Sequence, residues 1–334
     1  MSWWRDLARP AVRWYFRHAV RAVAAWWVFR HQYLPSLRYQ MLPLLAVPLG
    51  NLRSHLHCVT AWPDDPVVLG PRVAVFCHFD ADGAVRPDVL RYLAAVRAAG
   101  FDVAVVSNST ALRPEAMTSL QAICQAVIVR RNVGYDFCAW REALERLALP
   151  RDDTELVLLA NDSVYGPLRP LGPCLQRIAG GEADVWGLTD SRQIRFHLQS
   201  YFLAVSRAAL QSEAWRRFWC SVRPVPSKRA MILRYELGLT QQLLRAGLRC
   251  RAVWPVTELP RPDSLRQRQT DEVNPTHELW RQLLDAGFPF IKRELVRDNP
   301  AHVPDIAEWR QVVQPLDGRE LAEIEQDLRR GVTP

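Results

Sequence analysis

At 334 residues, 49% of them hydrophobic, the chain is long enough to bury a full core, and disorder is excluded for most of it. Its seven cysteines (Cys58, Cys77, Cys124, Cys138, Cys174, Cys220 and Cys250) stand singly with no CxxC pair, which argues against a secreted disulfide scaffold and for buried thiols in a reducing cytoplasm. The net charge of +8 is concentrated before Ala61, where eight arginines face Asp6 alone, so the rest is nearly balanced and lacks the basic footprint of a nucleic-acid groove.

The N-terminal arm, residues 1–60, repeats Arg13, Arg17 and Arg21 at four-residue spacing beside Val12, Phe16, Val20, Val23 and Trp27. That pattern predicts a basic amphipathic helix rich in tryptophan. Arginines meet anionic head groups and indoles settle at the interface, so a peripheral position at the inner face of the plasma membrane is one reading. Packing on the protein's own core is the other. The uncharged run from Ala22 to Phe29 is too short to span a bilayer, and no small-residue cleavage site follows an apolar stretch.

From Arg72 onward short apolar runs alternate with helical patterns, which predicts an α/β fold with a mainly parallel, Rossmann-like sheet flanked by helices. Strands are expected over 72–78, 102–107, 126–130, 155–160, 183–188, 197–205 and 249–254. Helices are expected over 88–99, with Gly100 as its stop, over 138–147, and over 230–246. Prolines and charges over 259–274 read as a linker or loop, and the segment from Pro275 as a helical tail. The expected division is thus an arm (1–60), an α/β body (70–258), and a linker with tail (259–334).

Three places carry possible chemistry. Phe79-Asp80-Ala81-Asp82-Gly83 follows a strand and resembles the nucleophile loop of haloacid-dehalogenase-type phosphohydrolases, in which Asp80 would attack phosphorus and Asp82 would act as acid. That reading lacks its lysine and its second acidic cluster, since the only lysines are Lys228 and Lys292; a polar turn is the alternative. The second place, Arg131-Asn132-Val133-Gly134-Tyr135-Asp136, joins a strand to a helix. A glycine with free backbone donors can approach a diphosphate there, or Asp136 can simply cap the helix. Third, the strand ending in Asn161-Asp162-Ser163 delivers oxygen donors to the edge where open α/β sheets bind ligands. Only Asp162 is anionic there, with Arg131 placed to share in neutralising a diphosphate. Along the strand from His197, the alternation points His197, Gln199 and Tyr201 to one face. Trp140 and Trp186 could stack on a sugar or fill the core.

Taken together, the segments resemble the rhamnan synthesis protein F family, a GT-A-like group associated with rhamnose-containing polysaccharides. The resemblance rests on Val106-Ser107-Asn108-Ser109, Asn132 to Phe137 with Trp140, Asn161 to Pro167, Trp186 to Ser191, His197 to Phe202, Tyr235 to Thr240, Asn274 to His277 and Pro289 to Arg293, all in order over residues 70–310. It implies glycosyl transfer from a nucleotide-activated sugar such as dTDP-L-rhamnose to a glycan or lipid-linked glycan, assisted by a divalent cation (Mg2+ or Mn2+) at Asp162. On that basis the base is Glu236 first and Asp190 second, with inversion at the anomeric carbon. Donor contacts are assigned to His78, Asn108, Arg131, Asn132, Gly134, Tyr135, Asp136, Asn161, Asp162, Ser163, His197 and Gln199. A catalytically silent member that binds a glycan is the reading from another class.

Overall fold

The structure, a computed structural model, describes residues 57–225 and 227–330, so the amphipathic helix expected in the arm lies outside the described residues. The chain runs through β1 (Cys58–Trp62), β2 (Arg72–His78), α1 (Pro87–Ala98), β3 (Asp102–Ser107), α2 (Pro114–Gln121), β4 (Ala126–Arg130) and α3 (Tyr135–Arg146). Then follow β5 (Leu156–Asn161), β6 (Val164–Tyr165), α4 (Gly172–Ala179), β7 (Val185–Ser191), β8 (His197–Leu198) and β9 (Phe202–Ser206). Next come α5 (Arg207–Leu210), α6 (Glu213–Ser221), α7 (Lys228–Met231), a π-helical turn (Ile232–Glu236), α8 (Leu237–Arg245) and β10 (Cys250–Trp254). The tail supplies α9 (Pro275–Glu278), α10 (Trp280–Asp285), β11 (Ile291–Lys292), α11 (Arg293–Asp298), α12 (Trp309–Val313) and α13 (Gly318–Arg330).

The main sheet has the order β1-β4-β3-β2-β5-β9-β7-β10, with β8 attached to β7. Strands β4, β3, β2 and β5 are mutually parallel, as are β7 and β10, whereas β9 runs against both β5 and β7. The sheet is therefore mainly parallel with helices on both faces, as the alternating pattern predicts. Both faces are buried, which is why the strands read as continuous apolar runs. Along β2, Val73, Val75 and Cys77 pack with Phe137, Trp140 and Tyr235, while Ala74 and Phe76 pack with Tyr92, Leu93 and Phe290. Each fully buried aliphatic or aromatic side chain contributes about 1.5–3 kcal/mol, so this central strand is held from both sides.

The chain leaves β2 toward β3 and β4 on one side, then crosses to β5 on the other. A crevice must open where the connections diverge, beyond the carboxyl ends of β2 and β5. Their register, with Cys77 opposite Asn161, brings both strand ends level there.

Two expected elements are built differently. The strand expected over 197–205 is broken into β8 and β9 by a turn in which Gln199 N–H donates to Thr189 O (3.1 Å) and Ser200 N–H to Glu236 Oε2 (3.2 Å). Polar side chains at consecutive positions there find fixed partners instead of a ladder. The helix expected over 230–246 contains the π-helical turn, closed by Leu237 N–H donating five residues back to Ile232 O.

The tail packs on the body through a cluster that includes Tyr165, Trp280, Ile291, Leu295, Trp309 and Ile324. A two-residue antiparallel ladder sets Ile291 opposite Tyr165 and Lys292 opposite Val164. Glu320 accepts from Gly166 N (2.9 Å) and pairs with Arg91, and Tyr165 Oη donates to Asp327 (2.6 Å).

Candidate active site

A cavity of about 410 Å³ lies at the crevice beyond β2 and β5. Asp136, Asn161, Asp162 and Ser163 line it from the sheet edge, His197, Gln199, Ser200, Tyr201 and Glu236 from the region after β7, and Asn274, Thr276, His277 and Lys292 from the tail.

At the sheet edge, Asn161 Oδ1 accepts from the backbone N (3.1 Å) and the Oγ (2.6 Å) of Ser163, closing a tight turn at the end of β5. Asn161 Nδ2 donates to Asp136 Oδ2 (2.8 Å), whose other oxygen accepts from Cys77 Sγ (3.3 Å). Burial, and then the charge of Asp162, push the Asp136 carboxyl above its ordinary value. Asp136 thus adds a second carboxylate to an edge where the strand-end triplet alone offers one, and its side chain does not cap α3. It gets there because Gly134 (φ +82°) and Tyr135 (φ +56°) both adopt left-handed backbone, turning the chain sharply at the start of the helix. A Cβ on Gly134 would collide with Cys138 Sγ and approach Pro224 Cα at 3.1 Å. Asp162 Oδ2 accepts from Phe79 N (3.3 Å) and faces Arg86 Nη1 at 3.7 Å, while the buried Arg86 is held by Asp88 through Nε (3.0 Å) and Nη2 (3.1 Å).

Glu236 stands at the end of the π-helical turn, a distortion that recurs at functional sites. Its Oε2 accepts from the backbone N and the hydroxyl of Ser200, and Oε1 lies 3.6 Å from His197 Nε2. His197 Nδ1 donates to Arg195 O (2.8 Å), which leaves Nε2 directed at the carboxylate. Burial favours neutral Glu236, but hydrogen bonds from His197 and Ser200 outweigh it and hold the carboxyl below its ordinary value. Burial likewise disfavours charged His197, yet Glu236 and the Arg195 carbonyl outweigh it and raise the imidazole. Gln199 Nε2 donates to Asn274 Oδ1 and Thr276 Oγ1 (3.3 Å each), fastening the turn to the tail. Lys292 Nζ donates to Ser163 Oγ (2.9 Å) and sits 4.7 Å from the centre of the Tyr201 ring.

Of the residues singled out in the sequence, Asp136, Asn161, Asp162, Ser163, His197, Gln199, Tyr201 and Glu236 share this cavity. The others lie elsewhere. His78 is buried with Nδ1 3.0 Å from Ser107 Oγ, and Asn108 accepts from Arg130 Nη1 (2.5 Å) within a buried network that includes Glu142. Arg131 is exposed, and Asn132, Gly134 and Tyr135 line a separate depression with Pro224 and Val225. Asp190 is buried, its Oδ1 accepting from Val256 N (2.6 Å), and does not line the cavity. Trp140 donates to Ala160 O (3.3 Å) from the core, and Trp186 packs against the second core face. The Asp80 carboxylate accepts from Asp82 N (2.9 Å) and Ala84 N (3.0 Å), and Asp82 is exposed beside Arg113, so both belong to a surface turn.

Sequence reasoning assigned no role to Lys292, Asn274, Thr276 or His277. A signal was present: among 43 basic residues only Lys228 and Lys292 are lysines, and both line the cavity.

A hard divalent cation wants several free oxygen ligands and no competing positive charge. Here Asp162 is engaged by Phe79 N and Arg86, Asp136 by Asn161 and Cys77, and Ser163 by Asn161 and the Lys292 ammonium. Among the described residues, no three His, Cys, Asp or Glu side chains gather as a metal site. The residues as placed do not fit a metal held by the protein.

The chain is 30% identical to virulence protein VirA of Vibrio anguillarum over 258 residues, covering 70% of this chain and 82% of that protein. It is 28% identical to the uncharacterized protein y4gN of Sinorhizobium fredii over 155 residues, 45% of this chain and 40% of that one. Among solved structures, the mannosyltransferase PcManGT from Pyrobaculum calidifontis, in complex with GDP-Man and Mn2+, aligns at a TM-score of 0.36 and 12% identity over 92% of this chain and 90% of its own. Residues 103–313 match the description of rhamnan synthesis protein F, and the chain belongs to that family.

Proposed function

We propose that the protein is a GT-A-type glycosyltransferase that moves a sugar, with inversion, from a nucleotide-activated donor onto a growing cell-surface polysaccharide or lipopolysaccharide. L-rhamnose from dTDP-L-rhamnose is the donor we favour from the family. The observation that carries the reading is the opposition, within one cavity at the sheet's switch point, of polar donors at the end of β5 to the ionised, oriented carboxylate of Glu236.

In this reading the donor lies along the sheet edge, where Asp136 and Asp162 accept hydrogen bonds from its ribose or sugar hydroxyls. The acceptor hydroxyl approaches Glu236, which takes its proton as the oxygen attacks the anomeric carbon. His197, fixed by the Arg195 carbonyl, orients Glu236, and Ser200 holds its other oxygen. Gln199, tied to Asn274 and Thr276, keeps the tail closed over the reacting groups and so limits water.

The basic arm would bring this site to an anionic membrane surface where a lipid-linked acceptor resides. Among the described residues no helix is long and apolar enough to cross a membrane. Loss of lipid co-sedimentation on deleting residues 1–40 is the expected result, and unchanged partitioning would discard the membrane assignment.

The functional test is thermal stabilisation by dTDP-L-rhamnose, UDP-glucose and GDP-mannose, followed by transfer assays with the stabilising donor. Ligand binding raises apparent stability by mass action, so a selective shift identifies the donor. Binding without transfer to any glycan would leave a silent glycan-binding member as the better description, and no shift with any nucleotide sugar would sink the enzyme reading.

A further inference from the structure

We infer that Lys292 is the protein's own cation for the departing diphosphate, contacting its phosphate oxygens in the role a divalent metal would otherwise fill. The inference rests on the glycosyl-transfer reading and specifies how the leaving group is neutralised.

The placement is built, not incidental. The β11–β6 ladder fixes Lys292 opposite Val164, one residue past Ser163, and Ser163 Oγ accepts from its ammonium at 2.9 Å. The face of the Tyr201 ring lies on the same ammonium at 4.7 Å from its centroid. An ammonium has three N–H donors, and among the described residues Ser163 is the one hydrogen-bond acceptor it meets. Donors are therefore left for a ligand in the cavity that Lys292 lines.

Three other basic groups near the site are committed. Lys228 pairs with Glu294 at 2.9 Å, Arg293 with Asp327 at 3.1 Å, and Arg86 with Asp88 at 3.0 Å. Arg297 is exposed at the rim. Lys292 has no carboxylate within ion-pair distance among the described residues, although Asp136 and Glu236 both act on it electrostatically. Burial lowers its ammonium to about 8, which leaves it charged at neutral pH.

The step balances as follows. The acceptor oxygen forms the new bond to the anomeric carbon and its proton passes to Glu236. The bond from that carbon to the diphosphate oxygen breaks, and the electron pair stays on the diphosphate. Lys292 donates a hydrogen bond to that oxygen and keeps its proton, so the developing charge meets a fixed positive group.

The test uses the full chain, with dTDP as the binding probe and dTDP-L-rhamnose as the donor. After EDTA treatment, the dissociation constant for dTDP measured by calorimetry is expected to stay within about threefold of its value with Mn2+ or Mg2+, and dTDP release from the donor to persist. Lys292→Met is expected to weaken dTDP binding by about 10- to 100-fold, and Lys292→Arg to retain most of it, as the loss of a charge-assisted hydrogen bond predicts. Wild-type binding that disappears in EDTA and returns with metal, or Lys292→Met that binds like the wild type, would overturn the inference. The EDTA arm needs no variant and decides the matter even if Lys292→Met fails to fold. Metal-dependent binding would uphold glycosyl transfer while removing Lys292 from this role. Absence of binding by dTDP, UDP or GDP under any condition would remove both.

Discussion

The loop after β4 (residues 131–135) and the loop after β5 (residues 161–163) leave the same edge of the sheet with comparably polar sequences, yet only the second faces the cavity. The reason is strand order. β5 borders the switch point, whereas β4 lies two strands away beyond β3 and β2, so its loop opens on a different part of the surface. What reaches back is Asp136, carried to the cavity by the left-handed turn at Gly134 and Tyr135. A motif at a strand's carboxyl end is thus informative only once the neighbour of that strand is known.

The largest effect should come from the wall opposite both loops. Glu236→Gln preserves size and hydrogen bonding but removes the base, and transfer is expected to fall by about 10²- to 10⁴-fold while donor binding persists; retained turnover would exclude Glu236 as the base. Asp162→Ala, at the loop that faces the cavity, should lower transfer by about 10- to 100-fold through loss of a donor contact, read from kcat/KM. At the loop that faces away, Gly134→Ala should act through folding: overpacking against Cys138 and left-handed strain together cost about 2–4 kcal/mol, measurable as a lower Tm.

A subtler effect is the pH dependence of the His197–Glu236 pair. The raised His197 value stabilises the fold fully below the ordinary histidine pKa and loses that contribution as pH rises through the folded value. The lowered Glu236 value stabilises above the ordinary carboxylate pKa and is lost as pH falls through the folded value. The stability gap between wild type and Glu236→Gln should therefore be widest between about pH 4.5 and 6.5 and narrow toward alkaline pH. A gap that fails to narrow as pH rises above that range would show that the two groups are not coupled. The smallest effect is expected for Arg131→Ala and Asn132→Ala, which should leave donor affinity within about twofold; a larger loss would return the β4 loop to the site.

Much of the sheet was legible in the sequence. β2, β3 and β4 begin and end where the apolar runs do, because strands covered on both faces tolerate no polar interruption. The triplet after β5 was legible because it ends an apolar run, whereas His197, Gln199 and Tyr201 reach the cavity together with Ser200 through a turn and not through strand alternation. The break at residues 199–201 was not legible, because Gln199 and Ser200 are satisfied by Thr189, Thr276 and Glu236, partners that no local pattern reveals. Nor was the contribution of the tail. Lys292 reaches Ser163 across 129 residues of sequence, and a two-residue ladder is too short to leave a periodic signature. Asp190 has the chemistry of a base and the wrong surroundings: its oxygen is spent on the Val256 amide.

The β11–β6 ladder also sets an order of events during synthesis. The polar edge at Asn161 to Ser163 leaves the ribosome 129 residues before Lys292, a delay of roughly 6–26 s at about 5–20 residues per second. Until then the chain lacks the Lys292 side of its cavity. On the proposed reading, a chain truncated before Ile291 lacks the β11–β6 ladder and the Lys292 wall of the cavity and should not bind the donor.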